Sequence, residues 1–484
     1  MGRIRVLQNL GWLAGGRLAG DAASFIFFIL LSRQFGPKGV GVYAFAMAIA
    51  SVGRTIAELG VEDYGVRELA THDSESKVNV VGRILGAQCW LAAIYAGGCA
   101  IFLAGVGVSL QKGAVVALLA AYHLSAGIVR SLFLPSFAER RMAAPALLEA
   151  GSRVLAIAIG IVVMLGGGDT LISALAGFPI CGGLLVASGG WLNLRHLKRI
   201  RLRLDIDSVV STARQAWPYA AGTVVSRLHE RADVLMLSLI AGSTATGIYA
   251  AGLKFVEVSM IVVPLFAFAL YPRLTRLVQE DAEGFEVAVS TIIKGGLVVC
   301  VLLGWAVFVV VPDLIPLFFG SRFEDTEFVV KLFALWIPFN GVKILGDRLM
   351  LAAGRQVQRL RFQIIATGLN VAFNGVLIPV LAVEGAITAS VVSAGINALL
   401  VVRYLQRYTS EQLMMRLIAQ TSPLLGVGIL AAGVVAYLGT GELWAAIAFI
   451  VSFGGATVVS GFSAMVWENI SQLAERSSLN GLEH

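Results

Sequence analysis

The chain has 484 residues, of which 57% are hydrophobic and only 14% are charged, whereas soluble domains carry about 25% charged residues. This composition excludes a soluble enzyme or soluble binding module and predicts an all-α polytopic membrane protein. The formal net charge of +7 does not indicate nucleic-acid binding, because the basic residues collect in alternate loops, as orientation in a membrane requires.

Apolar runs of about twenty residues, the length that crosses a bilayer, recur along the chain. The first contains two charged residues and lacks a clear cleavage site, so we interpret it as a retained span rather than a signal peptide. We predict about fourteen transmembrane helices, at 8–32, 38–62, 81–106, 112–134, 144–166, 170–192, 213–241, 245–271, 287–313, 326–352, 358–381, 383–405, 415–438 and 442–466.

The loops between these runs alternate in charge. Arginine and lysine clusters follow the even-numbered spans, such as Arg140 and Arg141 after the fourth, and Arg355, Arg359 and Arg361 after the tenth. Cytoplasmic loops carry the excess of Lys and Arg in membrane proteins. The pattern therefore predicts an even number of helices with both termini in the cytoplasm.

Two parts of the chain share one pattern of residues at a constant separation of 206, which pairs Gly16, Gly36, Gly41 and Tyr43 with Gly222, Gly242, Gly247 and Tyr249. The spacing favours an internal duplication, and repeats of six helices each are parallel in the membrane. We predict an N-terminal six-helix lobe at 1–192, a cytoplasmic amphipathic linker at 193–212, a C-terminal six-helix lobe at 213–406, and two additional helices with a cytoplasmic tail at 407–484.

Five predicted spans carry opposite charges three or four residues apart, a spacing that places both signs on one helical face. A charge at a helix centre costs about 2.5–3.5 kcal/mol in a membrane, so we predict that these faces share one hydrated cavity between the two lobes. The basic members, predicted to bind substrate, are Arg17, Arg54, Arg227, Arg231, Lys254 and Lys343. The acidic members, predicted to balance charge or couple an ion, are Asp21, Glu58, Glu230, Glu257 and Asp347.

Arginine in such a cavity favours a phosphate or pyrophosphate substrate, because guanidinium binds anionic oxygens in a bidentate geometry. For Arg130, Glu149 and Arg153, near the ends of their helices, snorkelling or simple pairing is the favoured interpretation. For Glu58 and Asp347, also near an edge, a structural and a functional role both stay open.

Other patterns indicate transport rather than catalysis. The chain lacks the G-x4-G-K-[ST] phosphate loop, and its four cysteines lie inside apolar runs, where cysteine packs as a small hydrophobic residue. Its five histidines show no i, i+4 pairs. We therefore predict no enzyme activity, no cofactor and no metal site.

Several short motifs resemble one family of membrane proteins. They are Gly36-x4-Gly41-Val42-Tyr43-Ala44, Glu58-Leu59-Gly60-Val61, Tyr64-Gly65-Val66-Arg67-Glu68-Leu69-Ala70 and Leu270-Tyr271-Pro272-Arg273-Leu274. They are similar to those of bacterial polysaccharide biosynthesis proteins of the O-antigen flippase (Wzx) type, within the multidrug/oligosaccharidyl-lipid/polysaccharide exporter superfamily. In related lipid-intermediate flippases, arginines of the first two helices line the cavity, which matches Arg17 and Arg54, whereas Lys254 replaces a further arginine.

This resemblance implies translocation of an undecaprenyl-pyrophosphate-linked oligosaccharide across the bacterial inner membrane by alternating access. It also implies membrane lipids, a coupling proton or sodium ion, and glycosyltransferases or a glycan polymerase as partners. A cation-coupled multidrug antiporter and a flippase for a lipid-linked peptidoglycan precursor are the alternatives. A glycan polymerase is less favoured, because no large external loop carries clustered catalytic residues. A membrane scaffold is also less favoured, because it would have no cavity.

Overall fold

The computed structural model describes residues 2–71, 74–138, 143–193 and 202–409, and these ranges contain helices and no strand. The described residues of the first part of the chain form nine α-helices: α1 Gly2–Glu58, α2 Val61–Thr71, α3 Ser74–Gly105, α4 Leu110–Leu132, α5 Leu134–Ala138, α6 Ala143–Leu165, α7 Leu171–Leu175, α8 Gly177–Leu192 and α9 Ile206–Ile240. The second part forms α10 Gly242–Ser259, α11 Val262–Glu280, α12 Ala282–Phe319, α13 Thr326–Ala352 and α14 Gln356–Leu405. Short 3₁₀ turns occupy Ser321–Phe323 and Gln406–Tyr408.

Within the described residues, nine helical stretches are long and apolar enough to cross a membrane, which confirms a multi-pass membrane protein. Two of them, Ala19–Glu58 and Gln356–Tyr408, have 40 and 53 residues, and one pass requires only about 20. The first twelve predicted spans all fall on described helices. The last two lie outside the described residues, so the count of fourteen stays a prediction.

The two longest helices are helical hairpins. Helix α1 breaks at Gly36, where φ is 63°, and α14 breaks at Ala382, where φ is 47°. Side chains at similar distances before and after each break meet: the rings of Phe27 and Tyr43 lie 6.0 Å apart, and Asn370 Nδ2 donates to Ser393 Oγ at 3.4 Å. We label the halves α1a (2–35) and α1b (37–58), and α14a (356–381) and α14b (383–405).

The chain separates into two compact units, divided between Ala250 and Ala251. In the first unit, α1 packs on α4, α6 and α9, and α4 packs on α8. In the second unit, α13 packs on α11, α12 and α14. Helix α9 therefore belongs to the first unit, whereas the duplication assigns it to the C-terminal lobe. The lobe boundaries inferred from the duplication stay a prediction.

Two of the duplicated glycine pairs, Gly36 with Gly242 and Gly41 with Gly247, lie at or near the turns of two corresponding hairpins. Gly242, the counterpart of Gly36, also has a positive φ, 88°, and separates α9 from α10. In the second hairpin the hydroxyl of Tyr249 donates to Asp233 Oδ2 at 2.9 Å. At the repeat separation, Asp233 corresponds to Phe27 and Tyr249 to Tyr43, the two residues whose rings meet in the first hairpin. The two hairpins thus share a glycine with positive φ at the turn. They differ in the pair that joins their two helices, which is aromatic in the first hairpin and a polar hydrogen bond in the second.

The two hairpin turns contact each other reciprocally inside the first unit. A Cβ atom on Gly41 would overlap with the carbonyl oxygen of Ser243, and one on Gly247 would overlap with the carbonyl oxygen of Pro37. At the repeat separation of 206 residues, Gly41 corresponds to Gly247 and Pro37 to Ser243. Reciprocal contacts of this kind are the signature of a two-fold relation, and they support the predicted duplication.

Part of the predicted linker is described, and it lies against α3. The amide of Arg203 donates to the carbonyl of Gly82 at 3.3 Å, and Trp90 Nε1 donates to the carbonyl of Leu204 at 3.0 Å. The carboxylate of Asp205 then accepts from the Ser208 amide at 3.1 Å, which caps the start of α9. Residues 206–212 thus belong to this helix, and residues 194–201 of the linker lie outside the described residues.

Candidate functional site

A network of charged side chains joins three helices of the first unit. Arg54 on α1b donates from Nε to Glu58 Oε1 at 2.6 Å and from Nη2 to Glu149 Oε1 at 3.1 Å. Arg130, in the last turn of α4, donates from Nε to the other oxygen, Glu149 Oε2, at 3.2 Å. The carboxylate of Glu149 on α6 therefore bridges two guanidinium groups.

This network is only partly open to solvent. The side chain of Arg54 is 19% exposed, and those of Glu58 and Glu149 are 26% and 31% exposed. Charges at this depth in membrane-spanning helices need partners or water, and the carboxylates provide partners here. The same contacts hold the guanidinium of Arg54 in one orientation.

A second ion pair lies one helical turn further along α6. Arg153 Nη1 lies 3.0 Å from Asp21 Oδ1 on α1a, and Arg153 follows Glu149 by four residues, on the same helical face. The sequence spacing predicted that Asp21 shares a face with Arg17, but the side chain of Arg17 lies outside the described residues. The charges of this unit thus extend from the loop end of α1b towards the middle of α1a.

Uncharged polar groups accompany the network on α4 and α6. The hydroxyl groups of Tyr122 and Ser152 lie 3.3 Å apart. His123 Nδ1 is buried without a hydrogen-bond partner among the described residues. Gly127 leaves room beside Glu58, because a Cβ atom there would lie 3.3 Å from Glu58 Oε1 and 3.2 Å from Gln88 Nε2. Tyr122 and His123 thus place two polar side chains on α4 about two helical turns before Arg130.

Helix α9 carries three of the predicted residues and packs on α1 within the same unit. Arg227 Nη1 donates to Glu230 Oε2 at 2.9 Å, as their spacing of three residues predicts. Arg231 is intermediate in burial. The structure therefore pairs Arg227 with Glu230 along one face of α9.

The remaining predicted residues lie in the second unit. On α10, Lys254 Nζ donates to Glu257 Oε2 at 3.3 Å, again as the spacing predicts. On α13, Asp347 has a partner that its spacing did not indicate, because Arg359 Nη1 on α14a lies 3.7 Å from Asp347 Oδ2. Lys343, four residues before Asp347 on the same helix, is intermediate in burial.

The sequence did not indicate that three residues near helix ends are connected to the predicted binding and charge-balancing residues of the first unit. Snorkelling or simple pairing near helix ends is the expectation for Arg130, Glu149 and Arg153, and the structure pairs Arg130 with Glu149 and Arg153 with Asp21. It also connects the Arg130 and Glu149 pair to Arg54, the predicted binding residue. The available signal was the i, i+4 spacing of Glu149 and Arg153 within an apolar run.

Comparison with known proteins identifies the family. The family described as polysaccharide biosynthesis protein matches residues 6–278. A curated relative, the probable low-salt glycan biosynthesis flippase Agl15 of Haloferax volcanii, is 22% identical over 203 residues. This alignment spans 41% of the present chain and 43% of the relative, which is less than half of its length.

Solved structures show the fold. The lipid II flippase MurJ in an inward closed conformation superposes with a TM-score of 0.72 at 15% identity, over 93% of this chain and 98% of that chain. An inward-facing multidrug resistance MATE family transporter of the MOP superfamily superposes with a TM-score of 0.60 at 14% identity, over 83% of this chain and 95% of that chain. The chain therefore has the fold of these transporters, and because the family match covers more than half of its residues, it belongs to the polysaccharide biosynthesis protein family.

Proposed function

We propose that this protein is a flippase that translocates an undecaprenyl-pyrophosphate-linked oligosaccharide across the inner membrane by alternating access. The observation that carries the proposal is Arg54, a half-buried arginine held between Glu58 and Glu149 on helices of membrane-crossing length. A guanidinium fixed in this way can present its remaining N–H groups to phosphate oxygens. Membership of the polysaccharide biosynthesis family supports a glycan as cargo.

The other predicted residues take roles around this anchor. Arg17, Arg227, Arg231, Lys254 and Lys343 would contact the pyrophosphate or the sugars as the carrier lipid moves. Asp21, Glu58, Glu230, Glu257 and Asp347 would balance these charges or couple a proton or sodium ion. Both termini would lie in the cytoplasm, where glycosyltransferases assemble the glycan, and a glycan polymerase would receive it on the other face.

Two other transport functions share this fold. A flippase for a peptidoglycan precursor would use the same anion chemistry with a different sugar, as the fold similarity to MurJ suggests. A cation-coupled drug antiporter is suggested by the fold similarity to MATE transporters. The arginines of the network favour an anionic cargo, because cationic drugs are attracted to acidic or aromatic surfaces.

The first prediction concerns Arg54 in a strain from which the chromosomal gene has been deleted. We expect the deletion to abolish surface polysaccharide and to leave lipid-linked glycan on the cytoplasmic leaflet. Arg54→Lys keeps the charge and loses the planar fork, whereas Arg54→Gln loses both, so restored surface polysaccharide should fall in the order wild type, Lys, Gln. Immunoblotting of membranes and gel analysis of surface glycan measure protein and product.

Arg361 provides the matched control, because it is an exposed arginine outside the network, and Arg361→Gln should restore wild-type levels. Unchanged surface glycan in the deletion strain, with no second copy of the gene, contradicts the proposal. Altered drug susceptibility without any change in glycan would favour the antiporter. Cell lysis upon depletion, with accumulated peptidoglycan precursor, would favour the third function.

A further inference from the structure

Glu149 differs from the other carboxylates of the network in how it is held. Each of its two oxygens accepts from a different arginine, Arg54 on α1b and Arg130 on α4. Glu58 lies one turn after Arg54 on the same helix and stays beside it whatever the neighbouring helices do. Asp21 pairs with Arg153, away from this bridge. Glu149 is thus the carboxylate that holds two helices together through their guanidinium groups.

Among the described side chains that these ion pairs join, positive and negative charges are equal in number. The three arginines, Arg54, Arg130 and Arg153, are matched by three carboxylates, Asp21, Glu58 and Glu149. An anion that approaches these balanced charges is attracted only weakly unless one carboxylate moves away from its arginines. The carboxylate that already spans two guanidinium groups occupies the position that the oxygens of a bound phosphate would take, since carboxylate and phosphate accept the same bidentate bonds.

We propose that Glu149 is an exchangeable counter-ion, which a multiply charged phosphate group must displace to bind Arg54 and Arg130. This inference rests on the proposed function and adds a basis for selectivity. A pyrophosphate, with several negative charges, replaces the lost carboxylate bonds and gains additional attraction. A phosphodiester head group carries a single negative charge, the same as the Glu149 carboxylate that it would displace, so it gains no net attraction. Ordinary membrane phospholipids are therefore excluded from the site.

The test measures binding of two soluble probes to the full-length protein in detergent. Inorganic pyrophosphate stands for the multiply charged group, and dimethyl phosphate for a singly charged diester. We expect wild type to bind pyrophosphate measurably better than dimethyl phosphate by titration calorimetry. In Glu149→Gln the competing charge is gone, so the affinity for dimethyl phosphate should rise about tenfold, the effect of about 1.4 kcal/mol, and the ratio of the two affinities should shrink.

Glu68→Gln is the matched control, because Glu68 is a half-buried carboxylate that lies 4.0 Å from an arginine, Arg83, elsewhere in the unit. It should leave both affinities at wild-type values. If Glu149→Gln alone does not yield monodisperse protein, the same comparison is made in an Arg130→Gln background, where the loss of both partners restores the charge balance. Arg130→Gln with Glu149→Gln should then bind dimethyl phosphate more tightly than Arg130→Gln alone.

The outcomes separate this inference from the function on which it rests. Dimethyl phosphate affinity that is unchanged or weakened in Glu149→Gln, while pyrophosphate binding is lost in Arg54→Gln, overturns the counter-ion role and leaves the proposed function standing. Equal pyrophosphate affinity in wild type and Arg54→Gln contradicts the anion site itself. Selectivity that narrows in Glu149→Gln and not in Glu68→Gln supports the exchange.

Discussion

Substitutions at Asp21 and its partner can distinguish a structural role of the charged residues from a role in binding. Its carboxylate pairs with Arg153 on α6, and both side chains are a little over one third exposed. Either Asp21→Asn or Arg153→Gln leaves a charge without this partner, which for a partly exposed pair costs about 1 kcal/mol. We expect each single variant to lower the thermal stability of the purified protein, and the double variant to recover most of the loss.

Fluorescence-detected thermal unfolding in detergent measures this effect, and surface polysaccharide measures activity in the same variants. Glu384→Gln, an exposed carboxylate on α14b, controls for the loss of a negative charge. A double variant that is no more stable than the worse single variant would show that the pair does not act as a unit. A stable double variant with reduced transport would assign these charges to cargo or ion handling.

At this scale, the sequence predicted contacts within one helix and not those between helices. The pairs of Arg54 with Glu58, Arg227 with Glu230 and Lys254 with Glu257 follow from spacings of three or four residues. The contacts of Glu149 and Asp347 with arginines of other helices depend on which helices pack together and at what rotation. Charge spacing alone carries no information about that rotation.

The membrane-spanning helices could be predicted from the sequence, because an apolar run of about twenty residues is a strong signal. The predicted gap between the spans at 358–381 and 383–405 coincides with the break at Ala382, although alanine gives no turn signal. Helix α9 is the exception: it has 35 residues, yet it is not among the described stretches that are long and apolar enough to cross a membrane. The short α2 and α5 were not predicted as helices, since they are too short to span the membrane.

The reciprocal contact between the two hairpin turns gives the element-scale prediction. A methyl group on Gly41 or Gly247 would overlap with a backbone carbonyl of the other hairpin, and a carbonyl moves less easily than a flexible side chain. Forcing extra volume into such a contact costs about 1–3 kcal/mol. We expect Gly41→Ala and Gly247→Ala each to lower the unfolding temperature in detergent, and to do so by similar amounts because the contacts are reciprocal.

Gly97 supplies the comparison, since it lies within α3 with no atom within 4 Å of an added Cβ. Gly97→Ala should not lower the unfolding temperature, because alanine is the better helix former. Full stability in both Gly41→Ala and Gly247→Ala would show that the hairpin turns do not pack this closely. A loss in one variant and not in the other would contradict the two-fold relation.

For the whole molecule, the alternation of basic loops and the duplication predict one orientation in the membrane. The loop between α6 and α7 contains Asp169 and no basic residue. The loop between α13 and α14 contains Arg355, and Arg359 and Arg361 follow in the first turns of α14. Because positively charged loops stay in the cytoplasm, these two loops should lie on opposite faces. The twelve predicted spans that fall on described helices, together with the predicted cytoplasmic amino terminus, require the same arrangement.

This orientation is tested with single cysteines in a variant whose four native cysteines are replaced, Cys89, Cys99, Cys181 and Cys300. Asp169→Cys and Gln356→Cys both lie at exposed loop or helix-end positions. In intact cells with a permeable outer membrane, a membrane-impermeant maleimide should label Asp169→Cys, and it should label Gln356→Cys only after the inner membrane is disrupted. The cysteine-free parent must restore surface polysaccharide for the labels to report on the functional fold. Labelling of both cysteines in intact cells would contradict the predicted orientation. The reverse pattern would also contradict it, and it would place the network of Arg54 and Glu149 at the opposite face from the one where the glycan is assembled.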